Sequence, residues 1–470
     1  MTRITFGTDG WRSIIAEDFT FTNVSYVAQA IAQHLQNTGK AAQGVVVGYD
    51  TRFLADKFAQ TVAEIMTTNG IRTYLCRKFA PTPAVAHAVL AHQAGGAVML
   101  TASHNPAEYL GIKFIPSFAG PALPEDIDPI VNYLKGIMQT KKVACSEQPQ
   151  KDLIEMIEPQ PAYVEHLETL IDFAAIRTAG LKVVVDPMYG AGTGYLESIL
   201  QKHGCKVEAI HNWRDPLFGG ALPEPTGQHL GALAQRVQET RASIGVALDG
   251  DADRLGVVDP EGRYYSPNEI LVFFMEYLIN TRHFTGAVAR TVATTHWLDR
   301  LGAYYNCPII ETPVGFKYIG QALREQNAFL GGEESGGVSI NKHIPEKDGI
   351  FAALLFIEML AKTGKTPAQL LQEIRERFGP VYSERLDLRT TRAAKETVVE
   401  KMQNWEPDKI CGLPVKKLTR IDGLKVELED GSWFLVRPSG TEPVFRIYTE
   451  AGTEEQKRAI QAEVQIALGV

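Results

Sequence analysis

Short β-branched runs in this chain end in turns and lead into helical spacing. Val45-Val-Val-Gly-Tyr-Asp-Thr-Arg52 is such a run, and a helical pattern follows from Phe53 to Asn69. Ile71-Arg-Thr-Tyr-Leu75 reads as the next strand. Lys182-Val-Val-Val-Asp-Pro-Met-Tyr-Gly-Ala-Gly192 has the same form, and its glycines suit close packing because neither a Walker spacing nor Gly-x-Gly-x-x-Gly is present. Ser243 to Leu248 is a further strand, and Thr291 to Leu298 reads as strand, turn and helix start. Strands alternating with helices predict mixed or parallel sheets with covered faces. At 470 residues the chain exceeds what one core supports, so three or four domains are expected.

Hydrophobic residues at 45% and charged residues at 22% fit a globular protein rather than a disordered one. The net charge of -8 and the lack of a basic run argue against nucleic acid as a partner. No apolar run is long enough to span a bilayer, and the N-terminus carries no signal core, so no membrane partner is expected. The five scattered cysteines read as reduced thiols, which predicts a cytoplasmic protein.

Chemistry concentrates at Thr101-Ala-Ser-His-Asn-Pro-Ala-Glu-Tyr-Leu-Gly-Ile-Lys113. The apolar Ala97-Val-Met-Leu100 reads as a buried strand that delivers Ser103 to an exposed turn, which Pro106 stiffens. Ser-His-Asn-Pro alone is an ordinary turn. Upstream, Phe6-Gly-Thr-Asp-Gly-Trp-Arg12 is a tight turn followed by a planar donor suited to phosphate, or merely a surface arginine. Asp249-Gly-Asp-Ala-Asp-Arg254 places carboxylates at alternate positions of a segment taken as extended, which would point them to one side. Asp249, Asp251 and Asp253 repel one another unless a cation sits among them, and an all-oxygen set suits Mg²⁺. An acidic surface turn is the bland alternative.

Further on, Glu311-Thr-Pro-Val-Gly-Phe-Lys317 reads as a turn entering a helix. Gly331-Gly-Glu-Glu-Ser-Gly-Gly337 has four glycines, which would let backbone approach a ligand. His343-Ile-Pro-Glu-Lys-Asp-Gly349 follows. Helices are expected over Asn268–Ile279, Ile350–Ala361, Pro367–Phe378 and Glu454–Leu468. The charged stretch after Pro380 reads as a linker. In Val436-Arg-Pro-Ser-Gly-Thr-Glu-Pro443, Arg437, two hydroxyls and the backbone around Gly440 form a candidate anion nest.

Together these motifs resemble the α-D-phosphohexomutases, in the same order and from Phe6 to Arg446. The resemblance implies an α/β fold: three related mixed-sheet α/β domains plus a smaller C-terminal α+β domain around a central cleft. The boundaries then fall at 1–150, 151–265, 266–378 and 379–470. It implies Ser103 as phosphoserine, with His104, Lys113 and Arg12 beside it. Ser103, Asp249, Asp251 and Asp253 would hold Mg²⁺, and Arg254 would lie near substrate. Thr312 and Gly315 match a third-domain loop, Glu333 and Ser335 the sugar-recognition loop, and Arg437, Ser439, Gly440 and Thr441 the phosphate-binding loop, with Arg446 a further addition. One departure is Leu110, where the family commonly has Asn.

The His-Ile-x-Glu-Lys-Asp-Gly segment matches glucomutase-like members, and branches acting on mannose or glucosamine phosphates tend to have His where this chain has Gly337. The implied activity is interconversion of glucose 1-phosphate and glucose 6-phosphate through glucose 1,6-bisphosphate. The other hexose phosphates and a bisphosphate synthase use the same residues. Lys113 and Lys347 become proton-transfer candidates by the same resemblance, although from the residues alone Lys347 in Glu-Lys-Asp reads as a solvated charge. A monomer or weak homodimer is expected. One rival is an aspartyl-phosphate phosphatase of haloacid-dehalogenase type with Asp249 as nucleophile, but Asp253 departs from that pattern and Ser103 is left unexplained. A silent sugar-phosphate sensor is a third reading.

Overall fold

The computed structural model describes residues 4–7, 10–143, 150–389, 392–438 and 444–469, with backbone alone at 392–394. The first sheet holds β1 (Trp11–Ile14), β2 (Val45–Tyr49), β3 (Thr73–Cys76), β4 (Gly96–Leu100), β5 (Tyr109–Pro116) and β6 (Ile154–Ile157), ordered β1-β5-β4-β2-β3-β6. The second holds β7 (Lys182–Asp186), β8 (Lys206–Ala209), β9 (Ile244–Leu248), β10 (Leu255–Val258) and β11 (Tyr264–Tyr265), ordered β11-β10-β9-β7-β8. The third holds β12 (Ala287–Thr291), β13 (Ile309–Thr312), β14 (Ala328–Gly332) and β15 (Val338–Ile340), ordered β13-β12-β14-β15.

One topology recurs in these three sheets. A first strand (β2, β7 or β12) lies between two parallel neighbours, the next strand in sequence and the one after it. An antiparallel strand (β5, β10 or β15) then pairs with that third strand. β6 extends the first sheet beside β3, so the strand after residue 150 belongs there.

Helices cover the sheets because the strands are apolar on both faces. α1 (Phe21–Asn37), α2 (Ala55–Thr68) and α4 (Pro124–Thr140) bury one side of the first sheet, and α3 (Thr82–Ala91) the other. Around the second and third sheets lie α5 (Gln160–Leu170), α6 (Phe173–Ala179), α7 (Leu196–Lys202), α8 (Gly231–Thr240), α9 (Pro267–Asn280), α10 (Trp297–Tyr305), α11 (Phe316–Glu325), α12 (Gly349–Thr363) and α13 (Pro367–Phe378). α12 is buried on every side from Gly349 to Leu360, as a helix apolar all round must be. It packs on α6, α9, β9, β10 and β15 and gives the second and third units one continuous core. Truncating its central Phe356 to Ala would cost about 3–5 kcal/mol.

The last sheet is antiparallel throughout, ordered β16-β21-β20-β19-β18-β17: β16 (Tyr382–Arg389), β17 (Lys409–Ile410), β18 (Leu413–Thr419), β19 (Leu424–Leu428), β20 (Trp433–Pro438) and β21 (Val444–Ala451). α14 (Arg392–Asn404) and α15 (Glu454–Leu468) contribute to its core. The linker expected after Pro380 is instead β16, paired along its whole length with β21. It lies at the sheet edge and carries its charges on exposed positions, which hid the strand pattern. This unit meets the third through Trp433, Leu435 and Tyr448 packed on Val292 and Ala293. Beside that contact, Lys425 Nζ donates to Glu311 Oε2 at 2.8 Å.

Candidate active site

Three of the chemistry-bearing loops occupy equivalent places in the repeated topology. Each connects the third strand of its unit to the antiparallel fourth: Ser103 between β4 and β5, Asp249 to Arg254 between β9 and β10, and Glu333 to Gly337 between β14 and β15. The loops also touch. A side chain on Gly250 would collide with the Ser103 carbonyl, and Arg254 bridges to Gly337 through the backbone. The carboxyl ends of parallel strands are where open α/β sheets bind ligands.

Ser103 is 1% exposed, not at the tip of an exposed turn. The second unit covers it, and its Oγ donates to Asp249 Oδ2 at 2.8 Å. His104 Nδ1 lies 3.4 Å from the same Oγ. Burial, then Arg254 and Arg12, hold the His104 ring well below the usual imidazole range, so it is neutral. Arg12 Nη1 donates to Asn105 Oδ1 at 2.7 Å, which ties the N-terminal segment to the serine loop. Leu110 is fully buried in the first unit's core, where an Asn would need polar partners.

The three aspartates converge by a turn, not by alternation along an extended strand. Asp249 Oδ1 accepts the N–H groups of Asp253 and Arg254 at 2.9 and 3.1 Å, and Ala252 takes a positive φ of 59°. All three are completely buried, and one carboxylate oxygen of each lies within 4.8 Å of the others. Burial pushes the Asp249 carboxyl well up, reinforced by Asp253 and Asp251. At Asp251 burial is outweighed by Lys113, Thr82 and Lys347, and its carboxyl is held down. Lys113 Nζ contacts Asp251 Oδ2 at 3.0 Å and Asp253 Oδ2 at 3.4 Å, while Thr82 Oγ1 donates to Asp251 Oδ2 at 2.7 Å. Asp251 Oδ1 and Asp253 Oδ1 are buried without a hydrogen-bond partner among the described residues. Two orphaned oxygens within an all-oxygen set fit a hard divalent cation.

Lys347 is 6% exposed, and its Nζ lies 3.2 Å from Asp253 Oδ2, so the solvated-charge alternative does not hold. Glu333 Oε1 accepts the Gly315 N–H at 2.9 Å, and Ser335 Oγ lies 3.5 Å from Glu333 Oε2. Gly315 takes a φ of 130°, which a side chain would strain, and Thr312 at the end of β13 donates to the Pro313 carbonyl at 3.0 Å. Burial, then Glu334, hold the Glu333 carboxyl up at about 7. Gly331 and Gly332 do not free the backbone for a ligand. Ile319 and Leu271 fill the space their side chains would take.

Arg254 lies 3.5 Å from Glu224, which lines a cavity together with Tyr264, Glu334, Ser335, Arg385 and Tyr448. Arg437 Nε donates to Asp422 Oδ2 at 2.9 Å, and that oxygen also accepts the Val314 N–H at 3.1 Å. Arg446 stands opposite Arg437 across β20 and β21. Ser439, Gly440 and Thr441 lie outside the described residues. Thr82, Arg385 and the Asp50-Arg52 pair beneath the serine loop belong to no candidate site motif singled out in the sequence. The signal the sequence offers is that Asp50-Thr-Arg52 directly follows the apolar run Val45 to Tyr49.

Family models for the phosphoglucomutase/phosphomannomutase domains match in order: domain I over residues 3–141, domain II over 161–262, domain III over 266–378 and the C-terminal domain over 387–467. A phosphoglucomutase of Komagataeibacter xylinus is 30% identical, covering 99% of this chain and 91% of that protein. A phosphoglucomutase/phosphomannomutase of Thermococcus kodakarensis is 31% identical, covering 96% of each. A Methanothermobacter thermautotrophicus protein provisionally named phosphoglucosamine mutase is 32% identical, covering 97% of this chain and 95% of its own. A solved Thermus thermophilus structure, provisionally a phosphomannomutase, superposes with a TM-score of 0.87 at 34% identity over 100% of both chains. Fold and site define a phosphohexomutase, an isomerase of sugar phosphates. The chain belongs to the phosphoglucomutase/phosphomannomutase family. No helix among the described residues is long and apolar enough to cross a membrane.

Proposed function

We propose that this phosphohexomutase interconverts glucose 1-phosphate and glucose 6-phosphate through a phosphoserine at Ser103. The observation that carries the chemistry is the buried Ser103 Oγ, 2.8 Å from an aspartate of the three-carboxylate cluster. Phospho-Ser103 gives its phosphoryl group to the free hydroxyl of the bound sugar phosphate. Glucose 1,6-bisphosphate forms, turns over in the cleft, and returns its other phosphoryl group to Ser103. Asp249, Asp251, Asp253 and Ser103 would hold Mg²⁺, which when bound supplies positive charge against the transferring group.

Lys113 sits between Asp251 and Asp253 and balances the charge beside the phosphoserine. The attacking hydroxyl must lose a proton, and Lys347 is the proposed base, with the neutral His104 as the nearest alternative. Glu333 and Ser335 accept and donate to sugar hydroxyls, with Thr312 and Gly315 shaping that wall. Arg12, Arg254, Arg437 and the segment Ser439, Gly440 and Thr441 grip phosphate. Family membership favours Ser103 over Asp249 as the carrier, against the aspartyl-phosphatase and silent-sensor rivals. The glucose preference rests on the pairing of Gly337 with Lys347. A cytoplasmic enzyme, monomeric or weakly dimeric, goes with this reading.

Relative kcat/KM on glucose, mannose, glucosamine and N-acetylglucosamine 1-phosphates, with and without added glucose 1,6-bisphosphate, tests it. Glucose 1-phosphate ranks first under the proposal. A higher value for an amino sugar or mannose reassigns the substrate. Net bisphosphate synthesis from another donor reassigns the main activity.

A further inference from the structure

One side chain holds the serine loop from beneath. Arg52 is fully buried in the bend that follows β2. Its Nε donates to Asp50 Oδ2 at 3.1 Å. Its Nη1 donates to the carbonyls of Pro106 at 2.6 Å and Tyr109 at 3.0 Å. Its Nη2 donates to the carbonyls of Ser103 at 2.7 Å and Asn105 at 2.6 Å. A guanidinium has five N–H donors in a fixed plane, so all are used, and four of them go to carbonyls of the serine loop and the first residue of β5.

Asp50 completes the frame. Its Oδ1 accepts the Arg52 N–H at 3.0 Å, and its Oδ2 accepts from Thr101 Oγ1 at 2.7 Å. Thr101 Oγ1 in turn accepts the Ser103 N–H at 2.9 Å. Both backbone polar groups of Ser103 are therefore fixed by the Asp50-Arg52 pair, directly or through Thr101. Ser103 itself takes a φ of 50°, which a residue with a side chain keeps only where its surroundings over-determine it. The guanidinium carbon lies 4.8 Å from the centroid of the Phe218 ring of the second unit.

We propose that Arg52 is a positioning residue for phosphoryl transfer. Its planar fork sets Ser103 in the left-handed conformation that aims Oγ at the aspartate cluster, in both half-reactions. The proposal rests on Ser103 as the phosphoryl carrier. Lysine keeps the charge but offers three donors on a point, without the fork, and cannot hold four carbonyls in one plane. Misplacing the nucleophile by about 1 Å is enough to cost roughly a hundredfold in rate.

The test uses the full chain with Arg52→Lys, and in parallel the double variant Asp50→Asn/Arg52→Gln, which removes the buried charges together and leaves neither unpaired. Two rates are read: steady-state turnover, and phosphorylation of Ser103 by glucose 1,6-bisphosphate followed by intact mass. A variant that still unfolds cooperatively, at whatever lowered Tm, should lose about a hundredfold in kcat and equally in phosphorylation rate, with KM for the hexose phosphate within about threefold of wild type. Wild-type kcat in either folded variant overturns the proposal, as does a rise in KM alone. If neither variant folds, Arg52 serves the fold as a whole and the proposal fails. A wild-type chain that takes up no phosphate at Ser103 counts against the phosphoserine reading instead.

Discussion

A methyl group on Gly337 would lie 2.7 Å from Cγ of Lys347 and closer still to its Cδ. The Lys347 alkyl chain crosses the open face of Gly337 to bring Nζ within 3.2 Å of Asp253 Oδ2. A side chain at 337 and a lysine reaching the cluster from 347 thus exclude one another. Gly337→Ala should displace the lysine, lower kcat by at least about tenfold and cost roughly 1–3 kcal/mol of stability by overpacking. In a Lys347→Ala background the same change should be nearly neutral, because the colliding chain is gone. Additive losses in kcat and Tm across the four proteins would show that the two residues do not share a space.

Lys347→Met keeps the volume of the side chain and removes its charge. It should lower kcat by about 10²–10⁴-fold and erase one limb of the pH–rate profile, with little change in bisphosphate affinity. Near wild-type kcat across the pH range would pass the proton transfer to His104 or Lys113.

Asp251→Asn removes one anionic oxygen donor from the cluster, next to the orphaned Asp253 Oδ1. Divalent-cation affinity, read by titration calorimetry with Mg²⁺, should fall by at least about tenfold, and turnover should fall with it while the fold persists. Chelation of the wild type should abolish turnover, and added Mg²⁺ should restore it. Full activity after thorough chelation would refute the cation reading of all three aspartates.

Glu333 sets the expected pH behaviour of the sugar wall. Burial, and next to it Glu334, raise its carboxyl from 4.5 to about 7. For an acid raised in the folded state, the stability contribution is complete below about 4.5 and is lost as pH rises through about 7. Glu333→Gln should therefore raise Tm relative to wild type at pH 8 and not at pH 4.5. In catalysis the carboxylate is the acceptor form, so wild-type kcat/KM should climb through about pH 7, and the variant should be slower without that step. Differential scanning calorimetry and a kcat/KM profile against pH check the two halves separately.

What the chain discloses about itself depends on sequence distance. The serine loop and Asp249 to Arg254 are local, so an apolar strand running into a polar turn marks both. Their convergence is not local: Ser103 and Asp249 are 146 residues apart, and only the repeated strand order shows that they occupy equivalent connections. Arg52 escaped notice because its four carbonyl partners lie 51 to 57 residues onward and are backbone atoms, which leave no trace in side-chain identity. β16 is not legible in the sequence because an edge strand with Glu384, Arg385 and Asp387 along it has the composition of a linker. Gly331 and Gly332 look like backbone made available to a ligand, yet helix side chains occupy the space beside them.

Whether Ser103 carries the phosphoryl group is read by peptide-level mass spectrometry of the protein after incubation with glucose 1,6-bisphosphate and Mg²⁺. The wild-type chain should carry one phosphate, located on Ser103, stable to acid and hydroxylamine, and removed on addition of glucose 6-phosphate. Ser103→Ala should remain folded, take up no phosphate and lose mutase turnover. A phosphate on Asp249 that hydroxylamine releases, or full occupancy of the Ser103→Ala protein, would contradict Ser103 as the carrier.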